Sequence, residues 1–294
     1  MSLKISGLYT ALVTPFTESG LDLDGLRRNI RFQLASGVDG LLVLGTTGEA
    51  PCCTMAEKKA VIQTAIHEIG GDVPLMVGTG LYCTQSSIEA TRMAHDLGAD
   101  AALVVTPYYN RPTQQGIYRH FEAISDHCPI PLCIYNHPGR TGASISIDTM
   151  LRIASLDTVA AVKEASGDMN YFQQLRFRLP SDVTLLTGND DLLLPSAAVG
   201  GDGAISVLSN VLPREAAALL AAVVEGELKN AQELNLLLFP VIQALSIESN
   251  PIPLKALMDL LGMPAGPCRL PLCAPSPEHM QQLKKLASTL QVSC

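Results

Sequence analysis

Short apolar segments alternate with longer amphipathic segments along most of the chain. The short segments are typical of buried strands, and the longer ones have the periodicity of helices with one buried face. The predicted strands are residues 8–13, 40–44, 74–77, 101–105, 132–135, 159–162, 183–186 and 203–206. The predicted helices are residues 24–35, 55–69, 84–97, 114–127, 146–154, 170–179, 191–199 and 214–225.

These eight strand–helix units predict an α/β protein with the fold of a (β/α)8 TIM barrel, spanning residues 1–226. Each connection is long enough for the crossover helix that neighbouring parallel strands require. A doubly wound sheet is the alternative fold. It more often has a glycine fingerprint after its first strand, whereas here that strand leads into Thr14 and Pro15.

The rest of the chain, residues 227–294, has a different pattern. Three helices are predicted there, over residues 229–245, 253–261 and 278–290, with prolines between them. No stretch rich in serine and glycine precedes this segment. We therefore expect a C-terminal helical appendage packed on the barrel, or an oligomer interface, and not a free domain.

Composition excludes several classes of partner. The chain has 294 residues, is 47% hydrophobic and has a net charge of −8, so nucleic acids and anionic membranes are not expected to bind. No apolar stretch approaches the length of a membrane span, and the first residues lack the apolar core of a signal peptide. We therefore expect a cytoplasmic protein.

Eight cysteines are present, and they are expected to be reduced thiols. The sequence contains no CxxC pair, and neither Cys52–Cys53 nor Cys268 with Cys273 has a partner at the spacing of a zinc finger. No structural metal is expected. The carboxyl-terminal Cys294 is not at the position of a prenylation box.

Lys163 is the residue that carries most chemical information. It follows an apolar strand, where removal of water favours the neutral amine that attacks carbonyl groups. The alternative is a lysine whose stem lies on the barrel rim while its ammonium stays in water. Four other lysines lie in charged helical contexts and are expected at the surface: Lys58, Lys59, Lys284 and Lys285.

Polar residues follow the other predicted strands, at the end of the barrel where active sites lie. They include Thr46, Thr47 and Glu49 after the second strand, Tyr109 after the fourth, Tyr135, His137 and Arg140 at the end of the fifth, and Gly188, Asp190 and Asp191 after the seventh. Together with Lys163 they indicate Schiff-base chemistry on a small keto acid.

Each of these residues also has an interpretation that involves no chemistry. Thr46 and Thr47 could cap the next helix, and a tyrosine at a barrel end is often only packed. Asp190 with Asp191 is expected to be a helix N-cap and not a magnesium site. His137 is expected to be a loop residue, and Glu49 to orient or cap.

The chemical interpretation assigns three functions to the strand ends. The turn at residues 45–48 would direct backbone N–H groups at an anion, most simply a carboxylate, with a phosphate as the competing ligand. Tyr135, Tyr109 and Thr46 could form a hydroxyl relay that moves protons at a carbonyl carbon. Arg140 could hold a second carboxylate in a bidentate fork.

At these residues the chain resembles the pyruvate-dependent class I aldolase family, which includes N-acetylneuraminate lyase, and within it the dihydrodipicolinate synthase group best. The resemblance runs from about residue 7 to residue 275. It rests on the segments 45–49 (GTTGE), 77–80 (VGTG), 106–112 (TPYYNRP), 135–142 (YNHPGRTG), 162–167 (VKEASG) and 250–253 (NPIP). Each motif alone is modest evidence, but all of them in order are specific.

The resemblance implies a TIM-barrel enzyme that condenses pyruvate with L-aspartate 4-semialdehyde through an imine on a lysine. The residues that it implies as catalytic are Lys163, which forms the imine, Tyr135 as acid and base, and Thr46 and Tyr109 as its relay. The residues that it implies as substrate-binding are Thr47 for the pyruvate carboxylate, Arg140 for the second substrate, and Gly188 and Ile205 for the pyruvate pocket.

The resemblance also implies a homotetramer built from two tight dimers, in which Tyr109 reaches the neighbouring subunit's site. It implies no metal and no organic cofactor for the chemistry. The alternatives are an aldolase or dehydratase of the same family that acts on sialic acid or a 2-keto-3-deoxy sugar acid, a catalytically silent relative, and a phosphate-binding barrel. Arg140 and Thr46 favour the synthase group, whereas His137 departs from the small apolar residue common there.

Regulation is expected to differ from that of lysine-inhibited bacterial relatives. Those relatives carry histidines, an asparagine and a glutamate in a pocket at the dimer interface. The matching positions here are Met55, Lys58, Tyr82 and Ser86, with Tyr108 retained. The loss of a carboxylate and the gain of a cation weaken the binding of ammonium groups. We therefore expect feedback inhibition by L-lysine to be weak or absent.

Overall fold

Eight parallel strands form a closed barrel in the computed structural model, which describes residues 3–290. Cys294 lies outside the described residues. The barrel strands are β1 (Gly7–Ala11), β2 (Gly40–Val43), β3 (Leu75–Gly78), β4 (Ala101–Val105), β5 (Leu132–Asn136), β6 (Val159–Glu164), β7 (Thr184–Thr187) and β8 (Gly203–Ser206). Each strand pairs with its neighbour in the chain, and β1 closes the barrel by pairing with β8. The predicted (β/α)8 TIM barrel is confirmed.

Helices follow the strands and form the outer layer. They are α1 (Leu23–Ala35), α2 (Met55–Ile69), α3 (Thr84–Leu97), α4 (Gln114–His127), α5 (Ile147–Ala154), α6 (Met169–Arg178), α7 (Leu193–Ala198) and α8 (Pro213–Val224). A short hairpin of Phe16–Thr17 with Gly20–Leu21 precedes α1, and a one-turn helix, Pro138–Thr141, follows β5. The sequence pattern had not predicted these two small elements, because each spans only about one hydrophobic period and so shows no repeat.

Three further helices complete the described chain: α9 (Leu228–Leu245), α10 (Ile252–Leu260) and α11 (Pro277–Ala287). Leu238, Leu257 and Leu283 in these helices are buried in the same apolar cluster as the barrel helices. None of the helices within residues 3–290 has the combination of length and apolarity needed to cross a bilayer.

The core has two layers, because alternate residues of a strand face opposite sides of the sheet. Residues such as Val43, Val104 and Val162 point outwards and pack under the helices. The inward layer contains Leu42, Leu103, Cys133, Tyr135, Ala161, Leu186 and Ile205. Lys163 is two residues after Ala161 in β6, so its side chain also enters the barrel.

Candidate active site

Lys163 and Tyr135 lie side by side inside the mouth of the barrel. They are partners in the register between β5 and β6, which directs both side chains to the same face of the sheet. The Nζ atom of Lys163 is 4.4 Å from the centre of the Tyr135 ring. Only 5% of Lys163 is exposed. This burial rules out the alternative in which the ammonium group stays in water at the barrel rim.

Burial sets the protonation of this pair. Removal from water lowers the pKa of Lys163 to about 8, the Arg140 guanidinium acts in the same direction, and Cys133 and Asp190 oppose it. Burial also raises the pKa of Tyr135 to about 12, against the influence of Arg140 and the Thr46 hydroxyl. The lysine is therefore an available nucleophile near neutral pH, while the phenol keeps its proton.

The turn after β2 presents Thr46 and Thr47 at the same mouth. Thr46 is partly exposed, and it lines a cavity of about 340 Å³ together with Tyr135 and Arg140. Thr47 is buried, and its hydroxyl accepts a hydrogen bond of 2.9 Å from the side-chain amide of Asn250. The cap of α2 is the Thr54 side chain, so neither Thr46 nor Thr47 caps that helix.

Arg140 lies on the one-turn helix that follows β5 and is exposed at the cavity. Its guanidinium donates a long hydrogen bond of 3.4 Å to the backbone carbonyl of Asn250. Among residues 3–290, no carboxylate forms a salt bridge with Arg140. The guanidinium is therefore available to an anionic ligand.

Gly188 lies beside Lys163 just after β7, on the other side of β6 from Tyr135, and Ile205 lies further round the barrel in β8. A Cβ atom built on Gly188 would lie 2.6 Å from Cε of Lys163, which is closer than real Cβ contacts. Ile205 is fully buried in the inner layer of the core. The absence of a side chain at residue 188 therefore leaves room for the lysine side chain.

Tyr109 is the one predicted site residue that does not join this cluster within one chain. It follows β4 with a φ of 72°, and 91% of the residue is exposed. Its neighbour Tyr108 instead lines the cavity and makes an edge-on contact with Tyr82, with ring centres 5.7 Å apart.

The structure shows that the helix-cap prediction for Asp190 was wrong. It was expected to cap its own helix, but no side-chain cap forms there. Its Oδ2 atom accepts hydrogen bonds from the backbone N–H groups of Val207, at 3.0 Å, and Leu208, at 2.8 Å, beyond the end of β8. The charge of this buried carboxyl raises the pKa of Lys163, so Asp190 belongs to the electrostatics of the site.

His137 is partly buried and lies against Tyr135. Its ring makes an edge-on contact with Tyr135, with centres 5.8 Å apart. Burial lowers the pKa of His137 to about 4, and the charges of Arg140 and Lys163 act in the same direction. The histidine is therefore neutral at pH 7, and it lies in the loop after β5, as expected from the sequence.

Lys255 is the functional candidate that the sequence analysis missed. It lies in α10 and is 1% exposed, whereas Lys59, Lys284 and Lys285 are exposed as predicted and Lys58 is partly buried. The signal in the sequence was a lysine among the first, apolar residues of a helix whose other charged residue is Asp259. Its partner is Glu49, which was expected only to orient or cap.

Nearly the whole chain is similar to proteins of one known family. Residues 4–290 match the Dihydrodipicolinate synthetase family. A curated 4-hydroxy-tetrahydrodipicolinate synthase from Protochlamydia amoebophila is 48% identical over 290 residues, which cover 97% of each chain. The enzyme of the same name from Methanocaldococcus jannaschii is 40% identical over 285 residues, covering 97% of this chain and 98% of its own.

Solved structures give the same result. The dihydrodipicolinate synthase from Aquifex aeolicus superimposes with a TM-score of 0.94 at 40% identity and covers 97% of both chains. The dihydrodipicolinate synthase from Thermotoga maritima gives a TM-score of 0.95 at 38% identity, covering 98% of this chain and 100% of its own.

Proposed function

Because the chain belongs to the Dihydrodipicolinate synthetase family, we propose that it condenses pyruvate with L-aspartate 4-semialdehyde to give 4-hydroxy-tetrahydrodipicolinate. This reaction is the first committed step of diaminopimelate and lysine biosynthesis, and the enzyme is a lyase. The observation that carries the proposal is the buried Lys163, whose pKa is lowered to about 8 beside the Tyr135 ring.

In the first step, the neutral Lys163 amine attacks the keto carbon of pyruvate, and water leaves to form an iminium ion. Loss of a proton from the pyruvate methyl group then gives an enamine. The enamine carbon attacks the aldehyde carbon of the second substrate, and the resulting alkoxide takes up a proton. The amino group of that substrate then adds to the imine carbon, closes the ring and releases the Lys163 amine.

Tyr135 is proposed as the acid and base for these proton transfers, because its hydroxyl group keeps its proton at neutral pH and its ring lies 4.4 Å from the Lys163 nitrogen. Thr46 lines the same cavity and would pass protons to and from it. Tyr109 would complete this relay from a neighbouring subunit, since its own chain leaves it 91% exposed.

Thr47 is proposed to hold the pyruvate carboxylate with its hydroxyl and its backbone N–H. Asn250 supports this role, because it donates to the Thr47 hydroxyl and leaves the hydroxyl proton free for a ligand. Gly188 and Ile205 would shape the floor around the imine, since one leaves space beside Lys163 and the other fills the barrel interior.

Arg140 is proposed to bind the carboxylate of L-aspartate 4-semialdehyde. Its exposed guanidinium lines the cavity that contains Tyr135. A fixed cation at this position favours the synthase over the alternative, an aldolase or dehydratase acting on sialic acid or keto-deoxy sugar acids. The working form is proposed to be a homotetramer, a dimer of dimers, and the location is proposed to be cytoplasmic.

The test of this function is chemical trapping. The wild-type chain is incubated with pyruvate and reduced with borohydride, and its peptides are examined by mass spectrometry. We expect the pyruvate adduct on the peptide that contains Lys163, and no adduct with Lys163→Ala. An unmodified wild-type peptide would overturn both aldolase interpretations.

A second assay separates the synthase from its relatives. The cyclic product is followed with a coupled reductase after L-aspartate 4-semialdehyde is added. Arg140→Ala should form the pyruvate adduct at the wild-type level but require far more semialdehyde, because one ionic hydrogen-bond pair is lost. Equal loss of both activities would contradict the role given to Arg140.

A further inference from the structure

An ion pair between Lys255 and Glu49 lies in the interior directly behind the turn that presents Thr46 and Thr47. The two side chains are 2% and 0% exposed, and Nζ of Lys255 is 2.8 Å from Oε1 of Glu49. The same ammonium donates to the backbone carbonyls of Thr14, at 3.1 Å, and Pro267, at 2.9 Å. All three of its protons therefore have acceptors.

Stability alone gives a weak reason for this pair. Two charges lose more solvation in the interior than a single contact returns, and apolar residues of similar volume are often as stable or more stable. The second oxygen of Glu49 is also fixed, by the backbone N–H of Arg269 at 2.8 Å. The pair is therefore fully connected, and its hydrogen bonds specify one geometry for Glu49.

That geometry is transmitted to the pyruvate-binding turn. Glu49 has a φ of 49°, in the left-handed region that a non-glycine residue adopts only when its surroundings hold it there. Its backbone N–H donates to the Thr46 carbonyl at 3.1 Å. The Thr14 hydroxyl donates to the Gly48 carbonyl at 2.7 Å, and the Thr14 carbonyl accepts from Lys255, so Lys255 is also connected to the turn through Thr14.

The same C-terminal segment contacts the turn at a second point. Asn250 precedes α10 and donates to the Thr47 hydroxyl at 2.9 Å, while the backbone N–H of Lys255 donates to the Pro251 carbonyl at 2.9 Å. The two contacts therefore come from one short, hydrogen-bonded piece of chain, and movement of Lys255 would move both.

We propose that Lys255 is a positioning residue for pyruvate: through Glu49 it fixes the turn of residues 45–49 so that Thr47 can receive the pyruvate carboxylate. Lys255 does not line the cavity of Thr46 and Tyr135, and Glu49 lies in the cavity wall with a side chain that is 0% exposed, so both are proposed to act through the turn. The inference rests on the proposed function, since it concerns how the pyruvate of that reaction is held.

The experiment compares three variants with the wild-type chain. Lys255→Met leaves Glu49 buried without its cation, and Lys255→Met with Glu49→Gln removes both charges. The matched control is Arg176→Met, which breaks the half-buried pair of Arg176 and Asp202, 2.9 Å apart, at the opposite end of the barrel. For each variant, the thermal midpoint is measured, and borohydride trapping at Lys163 is titrated with pyruvate.

We expect Lys255→Met to lower the midpoint and to raise the half-saturating pyruvate concentration by roughly tenfold or more, because small displacements of binding groups have large effects. The double variant should regain thermal stability, but its half-saturating pyruvate concentration should stay as high as in Lys255→Met. Arg176→Met should have a lower thermal midpoint but the wild-type half-saturating pyruvate concentration. This combination separates a positioning role from a structural one.

The inference is overturned if the double variant has both the wild-type thermal midpoint and the wild-type half-saturating pyruvate concentration. It is also overturned if Lys255→Met binds pyruvate like the wild type. If Lys255→Met does not fold, the double variant decides by the same criterion. The two proposals fail in different ways: an absent adduct in the wild-type chain removes the proposed function and this inference with it, whereas wild-type pyruvate dependence in the variants removes the inference alone.

Discussion

The nucleophilic role proposed for Lys163 depends on its surroundings rather than on its sequence neighbours. An exposed lysine has a pKa of about 10.4 and is almost wholly protonated at pH 7. Here burial lowers the pKa to about 8, and Asp190 and Cys133 prevent a further fall. The site thus keeps a useful fraction of neutral amine while still allowing the lysine to be protonated when it leaves the product.

The first prediction concerns the pH dependence of imine formation. With a pKa near 8, the neutral fraction of Lys163 should rise about tenfold between pH 7 and pH 9 and then level off. Rapid mixing with pyruvate, followed by borohydride quenching at each pH, measures this rise. A rate that continues to climb in proportion to hydroxide beyond pH 9 would show that the lysine is not perturbed.

Gly188 gives a second prediction at the residue scale. In Gly188→Ala the new Cβ would lie 2.6 Å from Cε of Lys163, so the lysine must move. The rate of adduct formation should fall by roughly a hundredfold, as expected for a displacement of about 1 Å at a reacting group. Gly139→Ala is the control, since its Cβ meets nothing closer than 3.4 Å. Equal rates for the two variants would contradict this account.

Single elements differ in how well their sequence predicts them. Helix α2 (Met55–Ile69) was predicted to the residue, because Thr54 caps its start and Gly70, with a φ of 60°, ends it. The seventh helix was predicted as one element over residues 191–199. The structure instead has a 3₁₀ turn at Asp190–Leu192 and then α7, since the Asp190 side chain bonds across to the end of β8.

The cap of α2 gives an element-scale prediction. The Thr54 hydroxyl accepts from the backbone N–H of Glu57 at 3.3 Å, and the Glu57 carboxylate accepts from the backbone N–H of Thr54 at 2.8 Å. Thr54→Ala should lower the free energy of unfolding by about 1 kcal/mol. Denaturant unfolding measures the loss. Lys59→Ala, at an exposed position in the same helix, is the control and should change stability by less than about 0.5 kcal/mol.

At the scale of the whole molecule, several large hydrophobic side chains are exposed to water in the single chain. A subunit interface would explain the exposure of two of them. Tyr109 and Tyr82 are 91% and 56% exposed, and they lie beside the candidate site. A subunit interface there would cover them and bring Tyr109 to a second copy of the site. This arrangement is part of the proposed homotetramer.

Mixed oligomers test that arrangement. Tyr109→Phe and Lys163→Ala should each have low activity alone, because one breaks the relay and the other lacks the nucleophile. Co-expression of the two should restore about a quarter of wild-type activity, since about half of randomly formed dimers are mixed and each contains one intact site. Failure to recover activity in purified mixed dimers would place Tyr109 outside the neighbouring site.

Regulation by L-lysine belongs to the same scale. Lys58 and Tyr108 line the cavity that also contains Thr46 and Arg140. The resemblance places the lysine pocket of the inhibited relatives at these positions, so the cation of Lys58 would repel the ammonium groups of L-lysine. We expect little inhibition at physiological lysine concentrations in a steady-state assay, and stronger inhibition for Lys58→Glu. An inhibition constant in the sub-millimolar range for the wild-type chain would refute the prediction.

The division of the chain into a barrel, residues 1–226, and a C-terminal segment, residues 227–294, stays a prediction. Leu238 and Leu257 of the second part are buried in the apolar cluster that contains the barrel helices. We propose that the segment is an appendage of the barrel that also supports its mouth, through Asn250 and Lys255.

The sequence by itself determined the eight strand–helix units, because apolar periodicity and caps act over a few neighbouring residues. It also predicted that polar residues would meet at one mouth, since every parallel strand in a barrel has its carboxyl end there, and Lys163 and Tyr135 do lie together at that mouth. Only the tertiary structure decided that Asp190 turns towards β8 and that Lys255 reaches Glu49 from 206 residues away. Such contacts depend on how distant segments pack, and no local pattern encodes which buried charge will meet which partner.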